Sequence, residues 1–396
     1  MNGQREVVIL SGVRTAIGDY GGSLKDIPPT ELAAKVVREA VSRAKVDPKE
    51  IGQCVFGNVI HTEAKDMYLS RVAALKGGLP AESGALTLNR LCGSGLQAIV
   101  SASQYILLGD IDAAIGGGAE SMSRGAYANL SQRWGARMND AKEVDMMVGA
   151  LTDPFDTVHM GITAENVAAK CSVTRADQDA FAVESHKRAA NAIAKGYFKD
   201  QILPIELKSK KGPVQFDTDE HVRGDASVDG MGKLKAVFAK ENGTVTAGNA
   251  SGINDAAAAV VLMEKSVAAK KGLKPMARLV AYGHAGIDPK IMGLGPVTAV
   301  KNALAKAGLK LEQMDVIESN EAFAAQAIGV SKELGMNATK VNPNGGAVAL
   351  GHPIGATGAI LTVKAMYELA RTGGRYGLIT MCIGGGQGIA AVIERM

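Results

Sequence analysis

The sequence has few aromatic side chains, few cysteines and no apolar run as long as a membrane span. Phe, Trp and Tyr make up only 4% of the 396 residues. A core poor in rings must pack through short side chains and close backbone approaches, and the 48 glycines point the same way. The 4 cysteines, at 54, 92, 171 and 382, show no CxxC pair and no disulfide-like spacing. That excludes a disulfide scaffold and fits a reducing compartment. No run approaches the ~18 residues of a membrane-crossing helix. "MNGQREVVILSG" lacks the apolar centre of a signal peptide and the bias of a transit peptide. The expectation is a cytoplasmic protein with no membrane partner. There is no HxxxH or CxxC metal pattern, no Walker A motif and no GxGxxG after the first strand-like run. A metal site and a nicotinamide cofactor are therefore not expected. The net charge of +4 is small and dispersed, which argues against nucleic acid but leaves room for a local basic patch.

What is present falls into three parts: residues 1–120 continued at about 251–273, an insertion at 121–250, and 274–396. In the first, "REVVILSG" reads as a buried strand. Leu32, Ala33, Val36, Val37, Ala40, Val41 and Ala44 make one helical stripe, and "QCVFGNVI" and "LGDIDAAIGGGAE" are further strands, the last stopping at three glycines. The insertion is richer in charge. It holds the only tryptophan, Trp134 in "RWGARMND", and a helix whose Thr174 and Asp177 have capping-box spacing. From 274 the strand–helix alternation resumes. "NRLCGSGLQAIVSASQYILLGDIDAAIGGG" and "GHPIGATGAILTVKAMYELARTGGRYGLITMCIGGG" share one plan of loop, reactive residue, long apolar helix, strand and glycine triplet. Shared plan without strict periodicity points to a duplicated α/β fold.

Two residues hold matching places in that plan. Cys92 precedes a helix in a Gly/Ser-rich turn, where free N–H groups and the positive helix end should lower its pKa and make it a nucleophile. The plain alternative is a small buried hydrophobe. His352 lies among glycines that let another loop approach its ring; the alternative is a satisfied core histidine. Together they would be a thiol and its activating base. Asn320 in "ESNEAFAAQA" is either a helix N-cap or a hydrogen-bonding group for a water or oxyanion. Cys382 ends a strand at "ITMCIGGGQG", and three consecutive glycines need a reason. His61, His186, His221 and His284 stand in polar surroundings with no ligand spacing, and Cys54 and Cys171 have no glycine context.

"NRLCGSG", "NEAFA", "NGGAVALGHPIGATGA" and "CIGGGQG", in this order, with "HMGITAEN" and "GTVTAGNASGINDAAAA", resemble the thiolase family over about residues 5–394. The wording is closest to bacterial biosynthetic and broad-specificity β-ketothiolases of polyhydroxyalkanoate synthesis. The resemblance implies the thiolase fold: two duplicated α-β-α-β-α halves with an inserted loop (cap) domain, in a homodimer or, more often, a homotetramer. It implies reversible condensation of two acyl-CoA molecules to a short-chain 3-ketoacyl-CoA and CoA, with coenzyme A thioesters as substrates and no cofactor. It makes Cys92 the acylated nucleophile, Cys382 the second catalytic cysteine, His352 the activating histidine and Asn320 the holder of an oxyanion-hole water. The backbone of Cys92 and Gly384 would donate to the oxyanion, which explains the glycines. Ser251 would contact pantetheine, Arg223 the nucleotide end of CoA, and His159, Met160, Met292 and Phe323 the acyl and pantetheine tunnel. Gly230 departs from relatives with a hydroxyl residue there, which puts individual nucleotide contacts in doubt. A ketoacyl-carrier-protein synthase would want two histidines and no second cysteine. A non-catalytic thiolase-like binding protein should lack one of the four catalytic positions, and none is missing.

Overall fold

A computed structural model describes residues 5–210 and 212–396. Its first half opens with the fully buried strand β1 (Val7–Thr15). Helix α1 (Pro29–Ala44) follows, with proline in the first turn and the whole apolar stripe from Leu32 to Ala44 buried. Strand β2 (Gln53–Gly57), helix α2 (Leu69–Gly77), strand β3 (Gly84–Leu88), helix α3 (Ser94–Leu108) and strand β4 (Ala113–Ser121) come next. An excursion carries helices α4 (Met160–Lys170) and α5 (Arg175–Ala194), the latter with the Thr174/Asp177 capping box in place. The chain re-enters the sheet as β5 (Asn254–Glu264). The second half runs β6 (Ala277–Gly286), α6 (Gly295–Ala307), β7 (Val316–Ser319), α7 (Ala324–Leu334), α8 (Ile354–Thr372), β8 (Tyr376–Ile383) and β9 (Gln387–Arg395).

The duplication is explicit in the strand pairing. In the first half the order is β1-β5-β4-β2, with β3 at the far edge, and in the second β6-β9-β8-β7. Both runs pair antiparallel, antiparallel, then parallel. Even the register shift recurs, between Ile9 and Ser11 in β1 and between Leu279 and Ala281 in β6. The two sheets meet where β1 pairs antiparallel with β6 at Val8–Arg278 and Ile9–Ala277. Successive residues of β1 face opposite layers: the Ser11 hydroxyl donates to Ala40 of α1, while a side chain on Gly12 would strike Val363 of α8. Helices α3 and α8 lie between the sheets, with α1 and α2 outside one and α6 outside the other. The α-β-α-β-α stack thus spans the molecule, and the two halves share its middle layer.

Two expectations need correction. The first glycine triplet, Gly116–Gly118, does not stop a strand; it lies inside β4. Side chains on Gly116 and Gly118 would fall 2.7 Å from the Ile99 Cα and 2.1 Å from the Gly355 oxygen, so bare backbone is needed to seat α3 and α8. Only the second triplet, Gly384–Gly386, turns the chain, with φ of 81° and 89° at Gly385 and Gly386. The stretch Leu91–Leu108 is also long and apolar enough by itself to cross a membrane, contrary to the sequence reading. Its apolar residues from Leu96 to Ile106 are spent on the central helix layer.

The excursion is fastened to the first half by a buried ion pair. The Arg14 guanidinium donates to both oxygens of Asp219, at 2.7 and 3.0 Å, and to Gln201 at 2.9 Å. Trp134 does not pack under its own loop: it is 89% exposed, beside Leu130 at 79% and Met138 at 82%.

Candidate active site

Cys92 sits on a tight turn in front of α3. Leu91 adopts a left-handed φ of 45°, an uncommon and costly conformation for a residue with a Cβ. Polar neighbours hold it there: Asn89 accepts from the Leu91 N–H at 2.8 Å, and the Ser94 hydroxyl accepts from Arg90 N–H at 2.8 Å and donates to the Leu91 carbonyl at 2.7 Å. In the second half the equivalent turn before α8 carries His352. Gly351 has φ 102°, and a side chain there would lie 2.3 Å from the amide carbon of Asn254. Asn254 uses that space to accept from the His352 N–H at 2.9 Å, while donating to Gly18 at 3.1 Å.

The two turns are brought together by reciprocal glycine contacts between α3 and α8. A methyl group on Gly95 would lie 2.7 Å from the Ala359 nitrogen, and one on Gly358 2.2 Å from the Leu96 nitrogen. "CGSG" and "GATG" are therefore a matched pair of close approaches, one from each half.

The third turn supplies the sulfur of Cys382 at the end of β8, fully buried. The backbone N–H groups of Gly384 and of Cys92 itself are directed at the Cys92 sulfur. A side chain at Gly384 would crowd Met160 at 2.9 Å. Asn320 follows β7, bonded through its N–H to Thr380 at 2.9 Å, and its Nδ2 lies 3.4 Å from His352 Nε2. It is no N-cap, since α7 begins four residues later with Phe323 in the cap position. The other imidazole nitrogen, Nδ1, meets the Thr357 hydroxyl at 2.7 Å.

The expectation of a thiol with lowered pKa is overturned. Burial pushes Cys92 up to about 11, outweighing the N–H groups of Gly384 and Cys92 that pull it down. Burial and the neighbouring Cys92 sulfur hold Cys382 well above its ordinary value. Burial also lowers His352 to about 4, so at neutral pH its imidazole is uncharged and free to accept a proton. Both the thiol and the imidazole rest neutral, because a low-dielectric pocket disfavours either charge. Deprotonation must then accompany attack on a substrate.

Met160, Met292, Phe323 and Cys382 pack in one apolar cluster with Ala322 and Phe238. His159 caps α4, its Nδ1 accepting from Gly161 N–H at 3.0 Å, and its ring stacks on Phe238 at 4.5 Å. Ser251 donates its N–H to the Ala322 carbonyl at 3.0 Å, joining the 249–251 segment to the Phe323 segment. Arg223 stands apart, with an exposed side chain that reaches Asp19 at 3.3 Å. At Gly230, in the short helix Val228–Gly232, the nearest hydroxyl is that of Ser227, which accepts from Gly230 N–H at 3.2 Å. Sequence reading missed the wall on the Cys92 side, where Val59, Ile60, Met122, Met147, Leu151 and Ile354 pack. It also missed Asn254, Thr357 and Glu120, which lie inside quoted stretches but were given no role there. Two surface cavities of about 590 and about 600 Å³ lie away from these residues, beside Phe181 and Met336 and beside Arg5 and Tyr282. Among the described residues no group of three His, Cys, Asp or Glu is placed to hold a metal ion.

The comparisons agree with this geometry. Family models for the thiolase N-terminal domain and the thiolase C-terminal domain match residues 7–266 and 273–395. Beta-ketothiolase BktB of Cupriavidus necator is 67% identical over 392 residues, 99% of this chain and 100% of that protein. The acetyl-CoA acetyltransferase of Chromobacterium violaceum is 50% identical, over 98% and 100%. The crystal structure of the Bacillus anthracis acetyl-CoA acetyltransferase superposes with a TM-score of 0.97 at 45% identity, covering all of both chains. Human mitochondrial 3-ketoacyl-CoA thiolase in complex with CoA superposes at 0.96 with 43% identity, over 99% of this chain and 98% of that one. By sequence over nearly its whole length, and by a fold of two like halves, this chain belongs to the thiolase family and is one of its acyltransferases.

Proposed function

We propose that the protein is an acetyl-CoA C-acyltransferase that condenses two short acyl-CoA molecules reversibly, acetyl-CoA with acetyl-CoA or propionyl-CoA, through an acyl-Cys92 intermediate. The observation that carries this is the meeting of α3 and α8 at Gly95 and Gly358, which brings the turn bearing Cys92 to the turn bearing His352, whose Nε2 lies 3.4 Å from Asn320 Nδ2. In the first step Cys92 attacks the thioester while His352 takes its proton, and the N–H groups of Cys92 and Gly384 hold the developing oxyanion. CoA leaves as thiol with the proton of Cys382, which is left as the thiolate that serves as base in the next step. His352 keeps the proton that returns to the Cys92 sulfur when the product departs. In the second step a proton is drawn from the methyl group of a second acetyl-CoA, and the enolate attacks the acyl group on Cys92. Cys382 takes that proton, and Asn320, through a water, and His352 hold the enolate oxygen. A thiol suits the first step because exchange between two thioesters changes free energy little. Ser251, His159, Met160, Met292 and Phe323 would line the pantetheine and acyl path, with Arg223 near the nucleotide end.

Chain length follows from the lining. Met160 and Met292 are flexible thioethers and can yield to an extra methylene, whereas Phe323 cannot. Each methylene is worth about 1–3 kcal/mol in such a pocket. Thiolysis of acetoacetyl-CoA and of the five-carbon 3-ketoacyl-CoA should proceed with comparable kcat/KM and fall steeply by ten carbons. Comparable efficiency on the ten-carbon substrate would contradict the short-chain reading, and inactivity on the five-carbon one would contradict its breadth.

The three-part division at about 121, 251 and 274, a cytoplasmic location and a homotetramer belong to the same reading. The exposed apolar trio Leu130, Trp134 and Met138 supports association through the inserted region. Light scattering of Trp134→Ala should show a tetramer that dissociates on dilution at higher concentration than the parent; an unchanged tetramer would count against this contact.

A further inference from the structure

Glu120, near the end of β4, is fully buried and, among the described residues, makes no ion pair. Its carboxylate is instead surrounded by N–H donors. One oxygen accepts from Asn58 Nδ2 at 3.0 Å and Ile60 N–H at 3.1 Å; the other accepts from Val59 N–H at 3.0 Å and Gly355 N–H at 2.8 Å. Burial pushes its pKa up to about 8, while these backbone donors pull it down. All four partners are donors, so the cradle fits the carboxylate form, and the Gly355 contact places it at the positive end of the long helix α8.

The donors come from both halves. Asn58–Ile60 follow β2 in the first half, and the side chains of Val59 and Ile60 pack with Cys92. Gly355 lies in the first turn of α8, three residues after His352, and Ile354 next to it packs against the same Cys92 cluster. A side chain on Gly355 would lie 2.5 Å from the carboxylate. Glu120 thus grips the wall of the nucleophile with three bonds and the helix start of the base with one.

We propose that Glu120 is a positioning residue for acyl transfer, clamping the Asn58–Ile60 loop to the first turn of α8 and so setting Cys92 against His352. The inference rests on the assignment of Cys92 as nucleophile and His352 as base. Its positioning role runs through the two backbones it holds, and its charge also raises the pKa of the Cys92 thiol.

The clamp has a kinetic signature distinct from a loss of folded protein. Glu120→Gln keeps the shape but turns one oxygen into a donor facing donors, which costs either the bonds from Asn58 and Ile60 or those from Val59 and Gly355. The full-length variant should lose about 100-fold in kcat per acylatable site, with KM for acetoacetyl-CoA within about threefold of the parent, because the nucleotide and pantetheine contacts lie elsewhere. Sites are counted as the fraction of Cys92 that takes an acetyl group from acetyl-CoA on long incubation, so misfolded chains do not enter the rate. Glu120→Asp, one methylene shorter, reaches one side at a time and should lose at least about tenfold per site. If Glu120→Gln does not fold, the aspartate variant decides alone. A rate per acylated site within about threefold of the parent, in whichever variant folds, overturns the proposal. Absence of label on Cys92 in the parent protein would remove the acyl-enzyme reading, and this inference with it.

Discussion

Replacing Cys382 with alanine should leave Cys92 able to take an acetyl group from acetyl-CoA, yet abolish condensation. In the proposed reaction the two cysteines share a site but not a task. Cys92 has the N–H groups of Gly384 and Cys92 directed at it and part of its surface exposed, as a nucleophile that meets a thioester needs. Cys382 is fully buried among Met160, Met292 and Phe323, and its proton is firmly held. A thiol of high pKa, once ionised, is a good proton partner for a carbon acid, whose own pKa is high. Losing a general acid–base group costs roughly 10²–10⁴-fold in rate, and a loss of that size is expected in acetoacetyl-CoA formation by Cys382→Ala. Exchange of the acetyl-CoA methyl protons with deuterated water should fall in parallel. Acylation of Cys92, followed by mass, should stay within a few-fold of the parent. Near-normal condensation would remove Cys382 from the mechanism and leave the Gly384–Gly386 turn as plain chain reversal.

Much of this site was legible in the sequence because it lies on short motifs. "NRLCGSG" and "GHPIGATG" read as turns before long helices, and the structure adds why the glycines recur: Gly95 and Gly358 are where the two helices touch backbone to backbone. The duplication was also legible, from the order of loop, helix and strand in each half. The two glycine triplets misled, because composition does not separate a glycine that turns the chain from one that admits a neighbour. Gly385 and Gly386 turn with positive φ, whereas Gly116 and Gly118 lie flat in β4 beneath α3 and α8.

The pKa of Cys92 could not be read from local sequence. Proximity to a helix start argues for a lowered value, but burial is a property of the assembled fold, and here it dominates. For the same reason Asn254 and Glu120 were invisible. Asn254 acts on His352 across 98 positions and Glu120 on Gly355 across 235, through contacts that exist only once the halves close. Asn320 erred in the opposite sense: its spacing before a helix allowed an N-cap, and the chain runs on to Phe323 before α7 begins.

The central claim is that Cys92 carries the acyl group, and it makes the second large prediction. A thiol held up at about pKa 11 by burial is almost wholly protonated at neutral pH. It becomes reactive only where a base and oxyanion donors converge, and in the proposed reaction His352 and the N–H groups of Cys92 and Gly384 supply both at Cys92. Cys54 is buried with its pKa pushed up to about 12 by burial alone. Cys171 ends α4 and packs beside Ala325 and Ile328, away from His352. The decisive measurement is peptide-resolved mass spectrometry of the protein quenched in acid after brief exposure to acetyl-CoA. One acetyl group should appear on the peptide containing Cys92, disappear on adding CoA, and be absent in Cys92→Ala with the other three cysteines unlabelled. An acetyl group found instead on Cys382, or persisting in Cys92→Ala, would contradict the account.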